Sequence, residues 1–150
     1  MPDLDRIDHA IIRELQKQAR LTITELASRV GLSKTPCQVR MRRLEEQGYI
    51  TGYTAQVNQT KLGQSHIAFV QLTLKDTSSS ALTAFNDAVK QIAAVEQCHM
   101  IAGNFDYLLK VRTQNMTEYR QVLGEQLSAL PHVQQTSTFV VMESVRDAGI

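Results

Sequence analysis

The chain has 150 residues, of which 43% are hydrophobic and 21% are charged, and its formal net charge is +1. This is an ordinary globular composition, which excludes long disorder, and no apolar run approaches the ~20 residues that a membrane span needs. The first residues are acidic and contain no apolar stretch, so we expect no secretory signal and a cytoplasmic protein.

The first third of the chain predicts three helices. From Asp5 onward, apolar residues recur every four positions, which is the period of one helical face. This stripe consists of Ile7, Ile11, Leu15 and Ala19. Thr22, followed three residues later by Glu25, forms a capping box that starts a second helix, and Gly31 is expected to end it.

A third helix is predicted to begin a few residues after Gly31. Thr35 is expected to cap it, Pro36 suits the first turn because its missing N–H has no partner there, and Gln38 completes a capping box. Gly48 is the second stop signal. Two helices that are joined by a turn of about four residues containing glycine have the spacing of a helix-turn-helix.

The third helix combines a basic segment with two distinct faces. Residues 34–43 carry four cations and no acid, which is typical of a segment that contacts phosphates. At about 100° per residue, Cys37, Met41 and Leu44 share one face, which we expect to pack in a small core. The exposed opposite face suits the major groove of DNA. The alternative is a solvated basic helix in a three-helix bundle.

Each side chain on the exposed face suits a different partner on DNA. Gln38 is predicted to contact adenine, Arg42 guanine, and Val39 a thymine methyl group. Phosphate contacts position a protein without reading sequence, and we assign them to Lys34, Arg40 and Arg43. The predicted DNA-binding set is Ser33, Lys34, Thr35, Gln38, Val39, Arg40, Arg42 and Arg43.

The chain changes character near its middle. Residues 49–55 are expected to form a turn and a strand, and residues 58–65 have no periodicity and suggest a linker. We therefore predict a DNA-binding domain over residues 1–53, a strand and hinge linker over residues 54–65, and a second domain over residues 66–150.

The second domain alternates between strand and helix patterns. Apolar residues with period two predict strands over residues 66–74, 95–101, 107–113 and 136–142. A helix that enters at residues 78–80 has the stripe Leu82, Phe85, Val89 and Ile92. Asn115 and Glu118 cap another, with the stripe Met116, Tyr119, Leu123, Leu127 and Leu130.

The resulting order, βαββαβ, predicts an α+β protein whose second domain is ferredoxin-like. Its two helices cover one face of the sheet, and the other face carries apolar residues such as Phe69 and Phe139. A partner sheet would cover them, so we predict a homodimer.

The titratable residues do not indicate an enzyme. Cys37 and Cys98 match no metal or redox spacing and are expected to be core residues. Asp106 and His99 are the candidates near one loop for an enzyme built on a dimeric α+β barrel, and no phosphate-binding glycine loop accompanies them. We predict no catalytic site, no metal and no cofactor.

Motifs in both halves of the chain carry a family resemblance. They are DLDRID at 3–8, ELQK at 14–17, GLS at 31–33, TPC at 35–37, RRLE at 42–45, GNFDYLLK at 103–110, YR at 119–120, LGE at 123–125 and VVME at 140–143. Together they resemble the Lrp/AsnC family of transcription regulators over nearly the whole chain, and most closely its leucine-responsive branch.

The resemblance implies a winged helix-turn-helix joined to an amino-acid-sensing ferredoxin-like domain of the RAM or ACT type. It also implies homodimers that assemble into octamers and wrap double-stranded DNA, with a small amino acid bound between dimers. The implied effector is leucine or methionine. The implied effector-binding residues are Met100, Gly103, Asn104, Asp106, Val140 and Val141.

The chemistry of these residues suits an amino acid. Asp106 is a partner for an ammonium group, backbone N–H groups around Gly103 for a carboxylate, and Met100 and the two valines for an apolar side chain. In the alternative, residues 103–104 only turn a hairpin, Asp106 caps it and the valines are core. The expected function is regulation of amino-acid metabolism under amino-acid control. A ligand-independent architectural DNA-wrapping protein is the alternative.

Overall fold

The computed structural model describes residues 3–147, and the chain divides between Gln56 and Val57 into two units. The first unit contains the helices α1 (Arg6–Lys17), α2 (Ile23–Val30) and α3 (Lys34–Glu46). No helix within residues 3–147 is long and apolar enough to cross a membrane.

Reciprocal hydrogen bonds start α1. The Asp5 carboxylate accepts from the Asp8 N–H at 2.8 Å, and the Asp8 carboxylate accepts from the Asp5 N–H at 3.2 Å. The helix ends at Lys17 because Gln18 adopts an extended conformation while its N–H still bonds to the Glu14 carbonyl. Ala19, predicted as the last residue of the buried stripe, therefore lies beyond α1 and is exposed, so that prediction was wrong.

The capping box predicted for α2 is confirmed. The Glu25 N–H donates to Thr22 Oγ1 at 3.1 Å, and the Thr22 N–H donates to Glu25 Oε2 at 3.0 Å. Gly31 ends α2 in the left-handed region at φ +77°, as glycine readily does. The Leu32 N–H then bonds to the Ala27 carbonyl at 2.9 Å, which closes the turn that leads to α3.

α3 begins two residues earlier than predicted. Ser33 is the N-cap, although no side chain caps the helix, and the Cys37 N–H bonds to the Ser33 carbonyl at 3.3 Å. Thr35 is therefore a residue of the first turn, and its predicted role as the cap was wrong. Pro36 occupies the third helical position, where an N–H has no partner within the helix.

The two predicted faces of α3 are confirmed. Cys37 and Leu44 are fully buried, and Met41 packs against them. The rest of this small core comes from α1 and α2: Ile11, Leu15, Leu26 and Ala27.

The strand expected within residues 49–55 is absent from the described chain, so that prediction was wrong. A strand needs a neighbour with which to exchange backbone hydrogen bonds, and residues 3–56 contain no other strand. The segment is held instead by a side chain, because the Tyr53 hydroxyl donates to Glu45 Oε1 at 3.3 Å.

The second unit has the predicted βαββαβ order. The elements are β1 (His66–Leu74), α4 (Ser79–Val89), β2 (Val95–Met100), β3 (Tyr107–Thr113), α5 (Met116–Val122) and β4 (Val133–Val140). The sheet is antiparallel, with strand order β2-β3-β1-β4.

Alternation along β1 places its apolar residues in the core, as predicted. Ala68, Val70 and Leu72 are fully buried, and Leu74 is nearly so. From α4, Phe85 packs against Tyr107 of β3 with ring centroids 4.2 Å apart. The helices therefore cover one face of the sheet.

The buried stripe after α5 differs from the predicted one. Met116 is exposed and Leu123 is only half-buried, whereas Tyr119, Val122 and Leu127 are buried. A single π-helical turn, Leu123–Leu127, follows α5, and the Ser128 N–H bonds to the Leu123 carbonyl five residues back. This turn brings residues five apart onto one face, which a search for spacings of three and four misses.

β4 (Val133–Val140) begins three residues before the predicted start at residue 136 and ends two residues before the predicted end at residue 142. Val133 already pairs with Leu74 across a bulge, and the last bond joins the Val141 N–H to the Ile67 carbonyl. Met142, placed in the strand by the sequence, is completely exposed.

The positive φ of Gly31 predicts the effect of a substitution. Gly31→Ala should destabilise the first unit by about 1 kcal/mol, because an L-residue is strained in the left-handed region. Chemical unfolding followed by far-UV circular dichroism measures this. Gly52→Ala is the matched control, since a methyl group meets open space at both positions and Gly52 has no positive φ. Equal stabilities of the two variants would contradict the prediction.

Candidate functional site

The exposed face of α3 carries the side chains predicted to read bases. Thr35, Gln38, Val39 and Arg42 are all exposed, opposite the buried Cys37 and Leu44. Val39 is 63% exposed although it is apolar. Ser33 and Lys34 are exposed at the start of the helix.

Arg40 and Arg43 form ion pairs with the first turn of α1. Arg40 Nη1 lies 2.6 Å from Asp5 Oδ2 and 3.0 Å from Asp8 Oδ1. Arg43 Nη2 lies 2.5 Å from Asp8 Oδ2. Both oxygens of Asp8 therefore have a guanidinium partner, and this carboxylate ties α3 to α1.

The four residues Asp5, Asp8, Arg40 and Arg43 are called the acidic clamp below. Asp8 is the buried member, with 1% of its surface exposed, and a buried carboxylate requires such partners. The hydrogen bond from Arg40, aided by the Asp8 backbone N–H, lowers the pKa of Asp5 to about 2. The same bonds to Asp5 and Asp8 raise the pKa of Arg40.

The acidic clamp was not predicted as a unit. Its local signal is an acid three residues after an N-cap acid, as in a capping box, but the arginine partners lie 32 and 35 residues further along the chain. The phosphate contacts predicted for Arg40 and Arg43 now compete with ion pairs inside the protein. Lys34 and Arg42 have no ion-pair partner within residues 3–147.

Four of the predicted effector residues lie together at one end of the sheet. Met100, Gly103 and Asn104 are exposed around the loop between β2 and β3, and Asp106 closes that loop. The side chain and the backbone of Asp106 both form hydrogen bonds within the second unit. Its Oδ2 accepts from the Leu74 N–H at 2.7 Å, and its carbonyl accepts from the Ile101 N–H at 2.8 Å.

Val140 and Val141 lie at the other end of the sheet. Val140 pairs with Ala68, whereas the Asp106 N–H bonds to the Leu72 carbonyl. Ala68 and Leu72 are separated by about 13 Å along β1. The predicted effector residues of one chain thus form two separate groups.

Each group borders a different groove. Met100 lines an open groove of about 400 Å³ between the end of α4 and β2, together with Cys98 and Tyr107. Val141 lines a second groove of about 640 Å³, on the face of the sheet that the helices leave uncovered.

That uncovered face has an apolar part and a charged part. Phe69 and Phe139 are directly opposite each other on β1 and β4, and Phe139 is 53% exposed. Beside them, Lys110 Nζ lies 3.4 Å from Glu96 Oε2 and 3.2 Å from Asp147 Oδ2. The segment after β4 therefore reaches back to the charged part of the face.

In the described part of the chain, no group of three His, Cys, Asp or Glu residues could hold a metal ion. Cys37 and Cys98 are both free thiols, and burial raises the pKa of each.

Both units match known protein families. Residues 4–51 match the winged helix-turn-helix DNA-binding family, and residues 67–149 match the Lrp/AsnC ligand binding domain. The two matches cover the unit that contains α3 and the unit that contains the sheet.

Similar proteins extend these matches to nearly the whole chain. It is 55% identical over 148 residues to the proline dehydrogenase transcriptional activator of Rhizobium radiobacter, which covers 99% of this chain and 95% of that protein. It is 49% identical over 147 residues to the leucine-responsive regulatory protein of Escherichia coli (strain K12), which covers 98% and 90%.

A solved structure has the same fold. The crystal structure of a transcriptional regulator from Neisseria meningitidis in complex with L-Met superimposes with a TM-score of 0.91 at 28% identity, covering 97% of this chain and 94% of that one. This protein belongs to the Lrp/AsnC family and is a DNA-binding transcription regulator with an amino-acid-binding domain, not an enzyme.

Proposed function

We propose that α3 reads base pairs in the major groove through Gln38, Val39 and Arg42, with Thr35 beside them. The supporting observation is the exposure of this face opposite the buried Cys37 and Leu44. An amide, a guanidinium and an apolar side chain suit adenine, guanine and a thymine methyl group respectively.

In this proposal, the residues at the start of α3 make the main phosphate contacts. Ser33 and Lys34 are exposed there, and Lys34 carries a charge without an ion-pair partner in the described chain. Arg40 and Arg43 receive a different role, because a phosphate contact would require them to leave the buried carboxylate of Asp8.

We also propose that a second copy of the chain packs on the uncovered face of the sheet. The exposed pair of Phe69 and Phe139 supports this, since apolar surface on an open sheet is stabilised by a partner. A two-fold dimer would present two α3 helices to two half-sites. Octamers built from such dimers follow from the family resemblance.

The effector in this proposal is leucine or methionine, bound where copies of the chain meet. Within one chain, Asp106 and Val140 lie at opposite ends of the sheet, so a site that uses both needs residues from two copies. The names of two similar proteins, one leucine-responsive and one in complex with L-Met, support these amino acids. Binding between copies would shift the balance of assemblies and so change which DNA sites are bridged.

A second candidate for the regulated process is proline catabolism. The similar protein from Rhizobium radiobacter is named as a proline dehydrogenase transcriptional activator, and its identity to this chain exceeds that of the leucine-responsive protein. Proline therefore belongs among the amino acids to be tested.

Base reading by Arg42 is tested on a duplex that the wild-type protein enriches from a random-sequence library. Arg42→Ala should weaken binding to this duplex by about 1–3 kcal/mol and relax the preference at one base pair. Titrations against single-base variants of the duplex measure both effects. Arg120→Ala, at an exposed arginine of α5, is the charge-matched control and should bind as wild type. An unchanged base preference in Arg42→Ala would refute base reading by this residue.

A charged substitution tests whether a second copy packs on the uncovered face of the sheet. Phe139→Lys should shift the protein toward smaller assemblies, because the new ammonium group would be buried against the partner. Sedimentation equilibrium measures the mass. Val57→Lys is a matched control, since Val57 and Phe139 are both 53% exposed. If Phe139→Lys has the wild-type mass, the partner does not pack on this face.

The effector is tested by thermal unfolding with leucine, methionine and proline. A ligand that binds the native state raises the melting temperature, and at about 100 times its dissociation constant it stabilises by about 2.7 kcal/mol. Met100→Lys should abolish the response, whereas Met116→Lys, at another exposed methionine, should retain it. No shift with any amino acid favours the architectural DNA-wrapping alternative.

A further inference from the structure

Two of the four cations in the basic segment of α3 are already paired within the protein. Residues 34–43 carry Lys34, Arg40, Arg42 and Arg43. The acidic clamp engages Arg40 and Arg43, at distances of 2.5 to 3.0 Å. The charge available to DNA from this segment is therefore about half of what the sequence indicates.

The position of the clamped arginines on α3 explains why they reach α1. At about 100° per residue, Arg40 and Arg43 lie on the flank between the buried face and the exposed face. From this flank they meet the first turn of α1, where Asp5 and Asp8 cap each other. Asp8 is buried whereas the side chains of Arg40 and Arg43 are partly exposed, so salt screens these two ion pairs less than it screens fully exposed ones.

We propose that Asp8 is a positioning residue, which holds Arg40 and Arg43 away from phosphates and so limits the sequence-independent, salt-dependent part of DNA affinity. The inference rests on the proposed reading of DNA by α3. Phosphate contacts strengthen binding to every sequence alike, whereas contacts to base edges discriminate between sequences. A helix that withholds two arginines from the phosphates therefore binds every sequence more weakly and with less dependence on salt, while its base contacts still set the discrimination.

Release of Arg43 from Asp8 has an energetic barrier within the fold. If Arg43 moved to a phosphate, Arg40 would be the only ion-pair partner left to the buried carboxylate, and Arg40 also pairs with Asp5. Breaking a buried pair by removing one partner is strongly unfavourable. Asp5 cannot replace Asp8 in this role, because its side chain is half-exposed and its only ion-pair partner within the clamp is Arg40.

The test is the salt dependence of DNA binding by Asp8→Asn. Asparagine keeps the shape and removes the charge that holds Arg43. Each phosphate contact contributes about 0.9 to the slope of log K against log salt. We expect the slope to steepen by about 1 on both the duplex enriched by the wild-type protein and a scrambled duplex. The ratio of the two affinities should stay at the wild-type value, because the added phosphate contact strengthens both complexes alike. A structural role alone would lower both affinities and leave the slope unchanged, which would overturn the proposal.

Arg43→Gln keeps the test valid if Asp8→Asn folds poorly. Arg43→Gln leaves Asp8 paired with Arg40, and its salt slope should equal that of wild type because Arg43 is not on a phosphate. In the double variant Asp8→Asn with Arg43→Gln, the steeper slope should be lost. A flatter slope in Arg43→Gln alone would show that Arg43 contacts phosphate in the wild-type complex, and would refute the proposal.

Asp5→Asn is the matched control within the acidic clamp. Asparagine is a good helix cap, so α1 keeps its start, and Arg40 keeps its bond to Asp8. Its salt slope should stay at the wild-type value. A slope as steep as that of Asp8→Asn would show that general loss of negative charge near α3, and not Asp8, sets the slope, which would overturn the proposal.

The experiment separates this inference from the proposed reading of DNA. If Arg42→Ala relaxes base preference and the slope of Asp8→Asn is unchanged, only the role of Asp8 fails. If Arg42→Ala and Gln38→Ala both keep the wild-type base preference, α3 does not read bases, and the inference fails with the proposed function.

Discussion

Hydrophobic burial acts on one side of α3 and on one face of the four-stranded sheet, and the surfaces available for function are those that burial leaves exposed. In the first unit, Cys37 and Leu44 occupy the small core, which turns Gln38, Val39 and Arg42 outward. In the second unit, α4 and α5 cover one face, which leaves Phe139 exposed on the other. Both units thus leave apolar side chains exposed, Val39 on α3 and Phe139 on the sheet.

Electrostatics then determines what the exposed helix can offer to DNA. The carboxylate of Asp8 is too buried to remain without partners, so it engages a guanidinium at each oxygen. The same contacts that attach α3 to α1 remove Arg40 and Arg43 from the set of free cations. The proposed role of Asp8 would couple the stability of the first unit to its affinity for DNA.

The second unit separates the residues that suit an amino-acid ligand. Asp106 stabilises the end of β1 through the Leu74 N–H, and Val140 lies beside Ala68 at the opposite end. In the proposed function, assembly of several copies brings these two groups together. Control of assembly by a ligand is consistent with this division, because a ligand that bridges copies favours the assembled state.

The sequence by itself determined the features that depend on neighbours within a few positions. The Thr22 and Glu25 capping box, the two faces of α3 and the alternation along β1 were all predictable, since propensity, capping and periodicity act locally. The absent strand at residues 49–55 and the π-helical turn after α5 were not, because pairing and packing outweigh local pattern there. Only the tertiary structure decided the partners of Arg40 and Arg43, since ion pairs join residues that lie 32 and 35 positions apart.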